Sequence, residues 1–278
     1  MRNLFILLLA TTFIAISSNG KSMGNTPDNA WKFDSLTVSK RVYVDNDETK
    51  DGMLIDLNFV YPVSVSGNLN LKEIQNIFAC IIVGKPDFRG TPHEAMNKVQ
   101  ADYTADAEEL AGIHATEDSD FPHFSNYEYN RSSKISMETE SLVTASIYDY
   151  TYTGGAHGLY GVSYYNIDKK TGTLIKEEQL FVPGYKDKLA VLIQNEISRR
   201  NNLHDDEEEI GLLVDLQDVG PNDNFYFGNE GIVYVYNIYE ITPYAQGIVE
   251  ITIPYDQVTP LVNKPYLSVI RNLRQELK

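Results

Sequence analysis

Ile135-Ser136-Met137-Glu138-Thr139-Glu140-Ser141-Leu142-Val143, followed by Tyr148, Tyr150 and Tyr152 at every second position, decides the fold class. A period of two puts successive side chains on opposite faces of a strand. The whole stretch from His123 to Ile167 keeps this pattern and is rich in tyrosine, threonine and serine, which predicts the meander of an antiparallel sheet. Asp168-Lys169-Lys170-Thr171-Gly172 then makes a turn into a short strand ending near Glu177.

Upstream, the same alternation runs from Phe33 to Val44 and from Met53 to Tyr61. These are two strands of a hairpin, joined by the acidic loop Asp45-Asn46-Asp47-Glu48-Thr49-Lys50-Asp51-Gly52. The carboxylates of Asp45, Asp47, Asp51 and Asp56 have some of the look of a calcium loop. However, the glycine falls at the eighth position instead of the sixth, an aspartate replaces the bidentate glutamate, and strands flank the loop. No metal is expected there.

Two helices follow. Asn70 caps the first with Glu73 as reciprocal partner, and Leu71, Ile74, Ile77, Phe78, Ile81 and Ile82 recur at helical spacing to face a sheet. The second starts at Thr91, with Pro92 at the first helical position and Glu94 closing a capping box, and runs to about Gly112. Ile113 to Pro122 is an acidic turn region. Later, Tyr185 to Arg200 forms a third helix, His204 to Glu209 a solvated charge run, Asn224 to Gly228 and Gly231 to Ile238 a tight hairpin, Ile248 to Ile253 a strand, and Leu267 to Leu277 a closing helix. The fold class is therefore α+β, with antiparallel sheets carrying helices on one side, in two parts at 31–122 and 123–278.

The N-terminus has the order of a secretory signal: Arg2, the uncharged run Leu4 to Ile16, then small and polar residues up to Gly20. Thirteen apolar residues are too few for a span, which needs about 20. Residues 1–20 are expected to be removed and 21–30 to form a polar leader, leaving an exported periplasmic or secreted protein with no membrane span. The single cysteine, Cys80, forms no internal disulfide and sits among isoleucines as an expected buried hydrophobe. The formal charge of −16 disfavours nucleic acid and anionic membranes as partners and suits a basic one.

Catalytic patterns are incomplete. Gly84-Lys85-Pro86 is no phosphate loop, His93-Glu94 lacks the second histidine because Asn97 stands there, and Gly161-Val162-Ser163-Tyr164-Tyr165 lacks the glycine that a nucleophile elbow needs. Neither a cofactor nor a metal site is expected. Two runs remain. In Tyr152-Thr153-Gly154-Gly155-Ala156-His157-Gly158 the glycines permit positive φ and close approach to the imidazole, so that His157 and Gly155 either form a site or fix a turn through a backbone carbonyl. In Tyr239-Glu240-Ile241-Thr242-Pro243-Tyr244-Ala245-Gln246-Gly247, Pro243 and Gly247 bracket a loop that presents Tyr244 as an anchor or packs it into a corner.

Together these runs, with Tyr165-Asn166-Ile167-Asp168 and Thr171-Gly172, resemble the extracytoplasmic domain of sigma-V-type anti-sigma factors, a module also similar to the non-catalytic part of some peptidoglycan deacetylases. Tyr61-Pro62-Val63-Ser64-Val65-Ser66-Gly67, with the helix from Asn70, is similar to the smaller domain that precedes it. The resemblance implies capture of a lysozyme-like basic protein or of cell-wall glycan (peptidoglycan) by His157, Gly155, Pro243, Tyr244 and neighbouring loops, without catalysis. The alternative is an enzyme on cell-wall glycan with His157 as base. Neither a transmembrane helix, a sigma-binding segment nor a deacetylase domain is expected.

Overall fold

The computed structural model describes residues 30–116, 123–202 and 210–276. The signal segment, the leader up to residue 29, residues 117–122 of the acidic turn region and the charge run 204–209 lie outside the described residues.

Strands β1 (Lys32–Tyr43) and β2 (Gly52–Ser64) form the expected hairpin. Alternate residues of β2, Met53, Ile55, Leu57 and Phe59, are fully buried beneath helices α1 (Leu71–Val83) and α2 (Pro92–Thr116). Both helices begin where local chemistry dictates. The Asn70 side chain accepts from Lys72 N–H at 3.0 Å, while Glu94 accepts from Thr91 N–H at 2.7 Å and its own N–H donates back to Thr91 Oγ1 at 3.3 Å. Glu73 bonds the Asn70 side-chain amide, so the reciprocity expected there is made between side chains. Helix α2 runs one turn past Gly112 because its last turn is packed: the His114 ring lies 5.1 Å from Phe124 and 5.0 Å from Tyr127.

The meander follows as β3 (Glu128–Glu138), β4 (Leu142–Tyr152) and β5 (Leu159–Asp168), with the short β6 (Thr173–Leu174) on its edge. The six strands form one sheet in chain order. One pairing differs from the antiparallel rule: β3 runs parallel to β2, from Leu54 beside Glu128 to Asn58 beside Ser132. The two intervening helices carry the chain back to the starting end of the sheet, which is what a parallel neighbour requires. The border expected between residues 122 and 123 thus falls inside one continuous sheet.

A smaller antiparallel sheet holds β7 (Phe225–Phe227), β8 (Gly231–Tyr236) and β9 (Val249–Pro254). The short helix α3 (Glu177–Leu180), absent from the sequence reading, precedes α4 (Tyr185–Asn202), which packs along β9. Helices α5 (Tyr255–Val258) and α6 (Leu267–Glu276) close the chain over the core that Tyr234, Tyr236, Ile251, Ile253 and Leu273 share. Every residue of β8 is buried, as a central strand requires.

The two sheets are joined by asparagines. The free edge of β5 is met by Asn224 and Asn237 in place of a partner strand: Val162 N–H donates to Asn237 Oδ1 at 2.7 Å, Tyr164 N–H donates to Asn224 Oδ1 at 2.9 Å, and both side-chain amides donate to Val162 O, at 2.9 and 3.2 Å. Side-chain amides so placed satisfy an exposed edge and align two sheets without a ladder.

Candidate functional site

The glycine-histidine run is the hairpin loop between β4 and β5. Gly154 and Gly155 take φ values of 99° and 94°, which only glycine adopts without strain. The close approach is provided by tyrosines: a Cβ at Gly154 would stand 2.7 Å from Tyr127 Oη, and one at Gly158 would stand 2.5 Å from the Tyr150 ring. Tyr127 is 4% exposed and packs edge-on against Phe124 and Tyr152, so the loop rests on a rigid aromatic bed. Tyr152 Oη donates to Gly155 O at 3.0 Å and fixes the turn from within.

His157 projects from this bed into solvent. Its Nδ1 lies 3.1 Å from Gly158 O, which assigns the proton to Nδ1, and its Nε2 lies 3.3 Å from Tyr239 Oη, which then donates to it. Tyr244 stacks on the imidazole with centroids 3.6 Å apart and planes 18° from parallel. The backbone-carbonyl contact expected of a turn-fixing histidine is present, and a stacking contact from the second run is added to it.

Tyr244 opens a single 3-10 turn between Pro243 and Gly247, whose φ is 67°. Just before it, Tyr239 has a φ of 64°, an uncommon conformation for an aromatic residue, and stands 51% exposed. That conformation is held by Tyr239 N–H to Thr242 O at 3.1 Å and by Glu240, whose carboxylate accepts from Asn237 N–H at 2.8 Å. The same Asn237 grips the β5 edge, so one residue fixes the second loop and carries it to the first sheet.

The surface continues over β4 and β5. Tyr160 meets Tyr244 edge-on at 5.8 Å, Tyr148 is 40% exposed beside them, and Tyr150 lies over Gly158. Burial first, then the neighbouring tyrosines and Glu128, push the Tyr148 phenol up, and burial likewise raises Tyr150. Both phenols are protonated at neutral pH and offer hydrogen-bond donors. The arrangement is a set of half-exposed rings at fixed angles, with hydroxyls at their rims and a histidine whose nitrogens face a carbonyl and a phenol instead of a carboxylate.

Of the residues expected at the site, His157 and Tyr244 meet, Pro243 caps the turn that carries Tyr244, and Gly155 supplies the turn and an exposed backbone. Tyr160 and Asn237 were missed: the first reads as one more strand tyrosine, and the second as the polar end of the apolar run Gly231 to Tyr236. The acidic loop stands apart. Lys50 pairs with Asp45 at 2.5 Å, Asp47 accepts from Thr49, and Asp51 faces His123 at 3.3 Å. Among the described residues no three His, Cys, Asp or Glu side chains are placed to share a metal ion, and no helix is long and apolar enough to cross a membrane. Cys80 is half-buried, not enclosed as expected, because the turn after α1 leaves its thiol at the wall of a cleft.

Residues 48–160 match the family described as deacetylase PdaC, and residues 178–256 match the family described as protein of unknown function DUF3298. The chain therefore carries a PdaC-like and a DUF3298 domain in a two-part arrangement. A crystal structure of a DUF3298 family member from Bacteroides fragilis is similar, with 26% identity, a TM-score of 0.75 and coverage of 89% of this chain and 98% of that one. A DUF3298 family protein from Pseudomonas aeruginosa shares the fold at 17% identity and a TM-score of 0.55, covering 85% of this chain and 96% of that one. No curated protein matches the chain. The His157 loop lies in the first matched region and the Tyr244 loop in the second, so the aromatic surface exists only where the two domains meet.

Proposed function

We propose that the chain is an exported, cell-wall-associated binding module that holds cell-wall glycan against the surface of His157, Tyr239, Tyr244 and Tyr160 without turning it over. The observation that carries this is the stack of Tyr244 on His157 beside the exposed Tyr239 ring, pre-set by Asn237 and the glycine loop. Sugar rings present flat C–H faces that lie on aromatic faces, and their hydroxyls take hydrogen bonds from phenols at the rim. Rings that are already fixed lose little rotamer freedom on binding, which is what makes aromatic anchors effective.

The likeness of the two runs to sigma-V-type anti-sigma ectodomains supports a second reading, in which the same surface captures a lysozyme-like protein. The formal charge of −16 would steer a small basic protein toward it and speed encounter. Calorimetric titration with soluble peptidoglycan glycan fragments separates the readings. Saturable heat that becomes about tenfold weaker in Tyr244→Ala, about 1.4 kcal/mol, supports the glycan module. Heat with lysozyme at physiological salt and none with glycan moves the assignment to the protein partner. Cleavage of muropeptides that disappears in His157→Ala would instead make His157 a base and overturn the non-catalytic reading.

A further inference from the structure

On a different part of the molecule, a cleft of about 220 Å³ opens between the end of α1 and the junction of β5 with the smaller sheet. We propose that this cleft is a second binding site, and that it takes a small molecule with a flat apolar body and a single carboxylate.

One wall is built by the end of α1. Gly84, with a φ of 74°, closes the helix by donating to Cys80 O at 2.8 Å and turns the chain into Lys85 and Pro86. The opposite wall combines Tyr164 and Tyr165 of β5 with Leu174, Ile175 and Phe225. Asn166 lies in the lining with both ends engaged, its Nδ2 donating to Phe225 O at 2.8 Å and its Oδ1 accepting from Thr144 Oγ1 at 2.9 Å. The Cys80 thiol donates to Phe88 O at 3.2 Å, and burial raises it, so it stands in the wall as a neutral group. The body of any ligand thus meets mainly carbon and aromatic faces. A cavity on the order of 150 Å³ holds a benzene, so this one has room for a ring and a short arm.

The charge of the lining sets the other half of the ligand. Lys85 and Lys176 border the cleft, and neither ammonium has a hydrogen-bond or ion-pair partner among the described residues. The guanidinium of Arg131 reaches the same turn, where its terminal nitrogen would stand 3.3 Å from a Cβ on Gly84, but it is paired with Asp149 at 2.7 Å and adds no net charge, so the positive character comes from the two lysines. The single acid of the lining, Asp223, has one carboxylate oxygen occupied by Glu177 N–H at 3.0 Å. Cations outnumber anions here on a chain whose formal charge is −16. An isolated positive spot on an acidic surface selects a small monoanion, because the rest of the molecule repels anything carrying many negative charges. Clefts at the joint between two domains are a usual place for such ligands.

The probe is phenylacetate, with phenylacetamide as its neutral isostere and acetate as the charge without the ring. Titration followed by amide chemical shifts should saturate for phenylacetate with a Kd at or below about 5 mM, the range that roughly ten heavy atoms support. The amide and acetate should each bind at least about tenfold more weakly, and so should phenylacetate to the Lys85→Gln, Lys176→Gln double variant. Both lysines are exposed, so the variant keeps the fold. Phenylacetate should also slow modification of Cys80 by a maleimide, and Tyr244→Ala should leave its affinity unchanged, which separates this site from the aromatic surface. The proposal fails if phenylacetate does not saturate, if the amide binds as well as the acid, or if the double variant binds like the native chain.

Discussion

At one end of the large sheet, two hairpin loops stand on either side of the start of β3: residues 45–51 between β1 and β2, and residues 153–158 between β4 and β5. The first is rich in charge and is held mainly by its own side chains, with Asp51 alone reaching out to His123. Its bonds run from Lys50 to Asp45 and from Thr49 to Asp47, and its positive-φ residues, Asp45 and Asn46, are types that tolerate that conformation. The second has almost no polar side chains of its own and is held by rings from elsewhere: Tyr127 against Gly154, Tyr150 against Gly158, and Tyr244 on His157. A loop satisfied locally can change without consequence for the rest of the molecule. A loop whose shape is fixed by remote residues ties its geometry to the whole fold, and it is the second loop that presents aligned aromatic groups to solvent.

The sharpest break in this contrast is Tyr127→Ala. It removes the bed of the second loop from a buried position and should cost about 3 to 5 kcal/mol in urea unfolding, with glycan affinity lost as well. Gly154→Ala comes next, since a methyl there meets both an unfavourable φ and the Tyr127 hydroxyl. A loss of about 2 to 3 kcal/mol is expected. Gly155→Ala has a similar φ but open space around it, so it should cost only about 1 to 2 kcal/mol. Equal losses at the two glycines would show that the Tyr127 contact is unimportant. His157→Ala should change stability by less than about 1 kcal/mol, because the ring is exposed, while weakening glycan binding about tenfold. Asp47→Ala in the acidic loop should stay within about 0.5 kcal/mol and leave binding untouched, and a larger effect would mean that this loop is coupled to the fold after all.

The parts of this arrangement that were legible in the sequence are those fixed by neighbours in the chain. Alternation from Phe33 to Val44 and Met53 to Tyr61 gave β1 and β2 within a residue or two at most ends, and the Asn70 and Thr91 caps placed both helix starts. The spacing of Tyr148, Tyr150 and Tyr152 put three rings on one face. Glycine around His157 signalled a close approach, although not which group would approach. What escaped was long-range. The parallel pairing of β3 with β2 depends on where two helices return the chain, and the grip of Asn224 and Asn237 on the β5 edge has no local pattern, because an asparagine at a strand end has many uses. Cys80 belongs to an apolar helix face, yet its exposure is decided by the turn at Gly84 to Phe88 and by the distance to the second sheet. The stack of Tyr244 on His157 joins residues far apart in the chain and depends on that same asparagine bridge.

The central claim is that cell-wall glycan binds where the two loops meet, and chemical-shift mapping of the full chain with soluble peptidoglycan glycan fragments tests it most directly. The account predicts saturable shifts concentrated at residues 148–160 and 237–247, greatly reduced in Tyr239→Ala and Tyr244→Ala. Shifts confined to other surfaces, or none at saturating glycan, would contradict it.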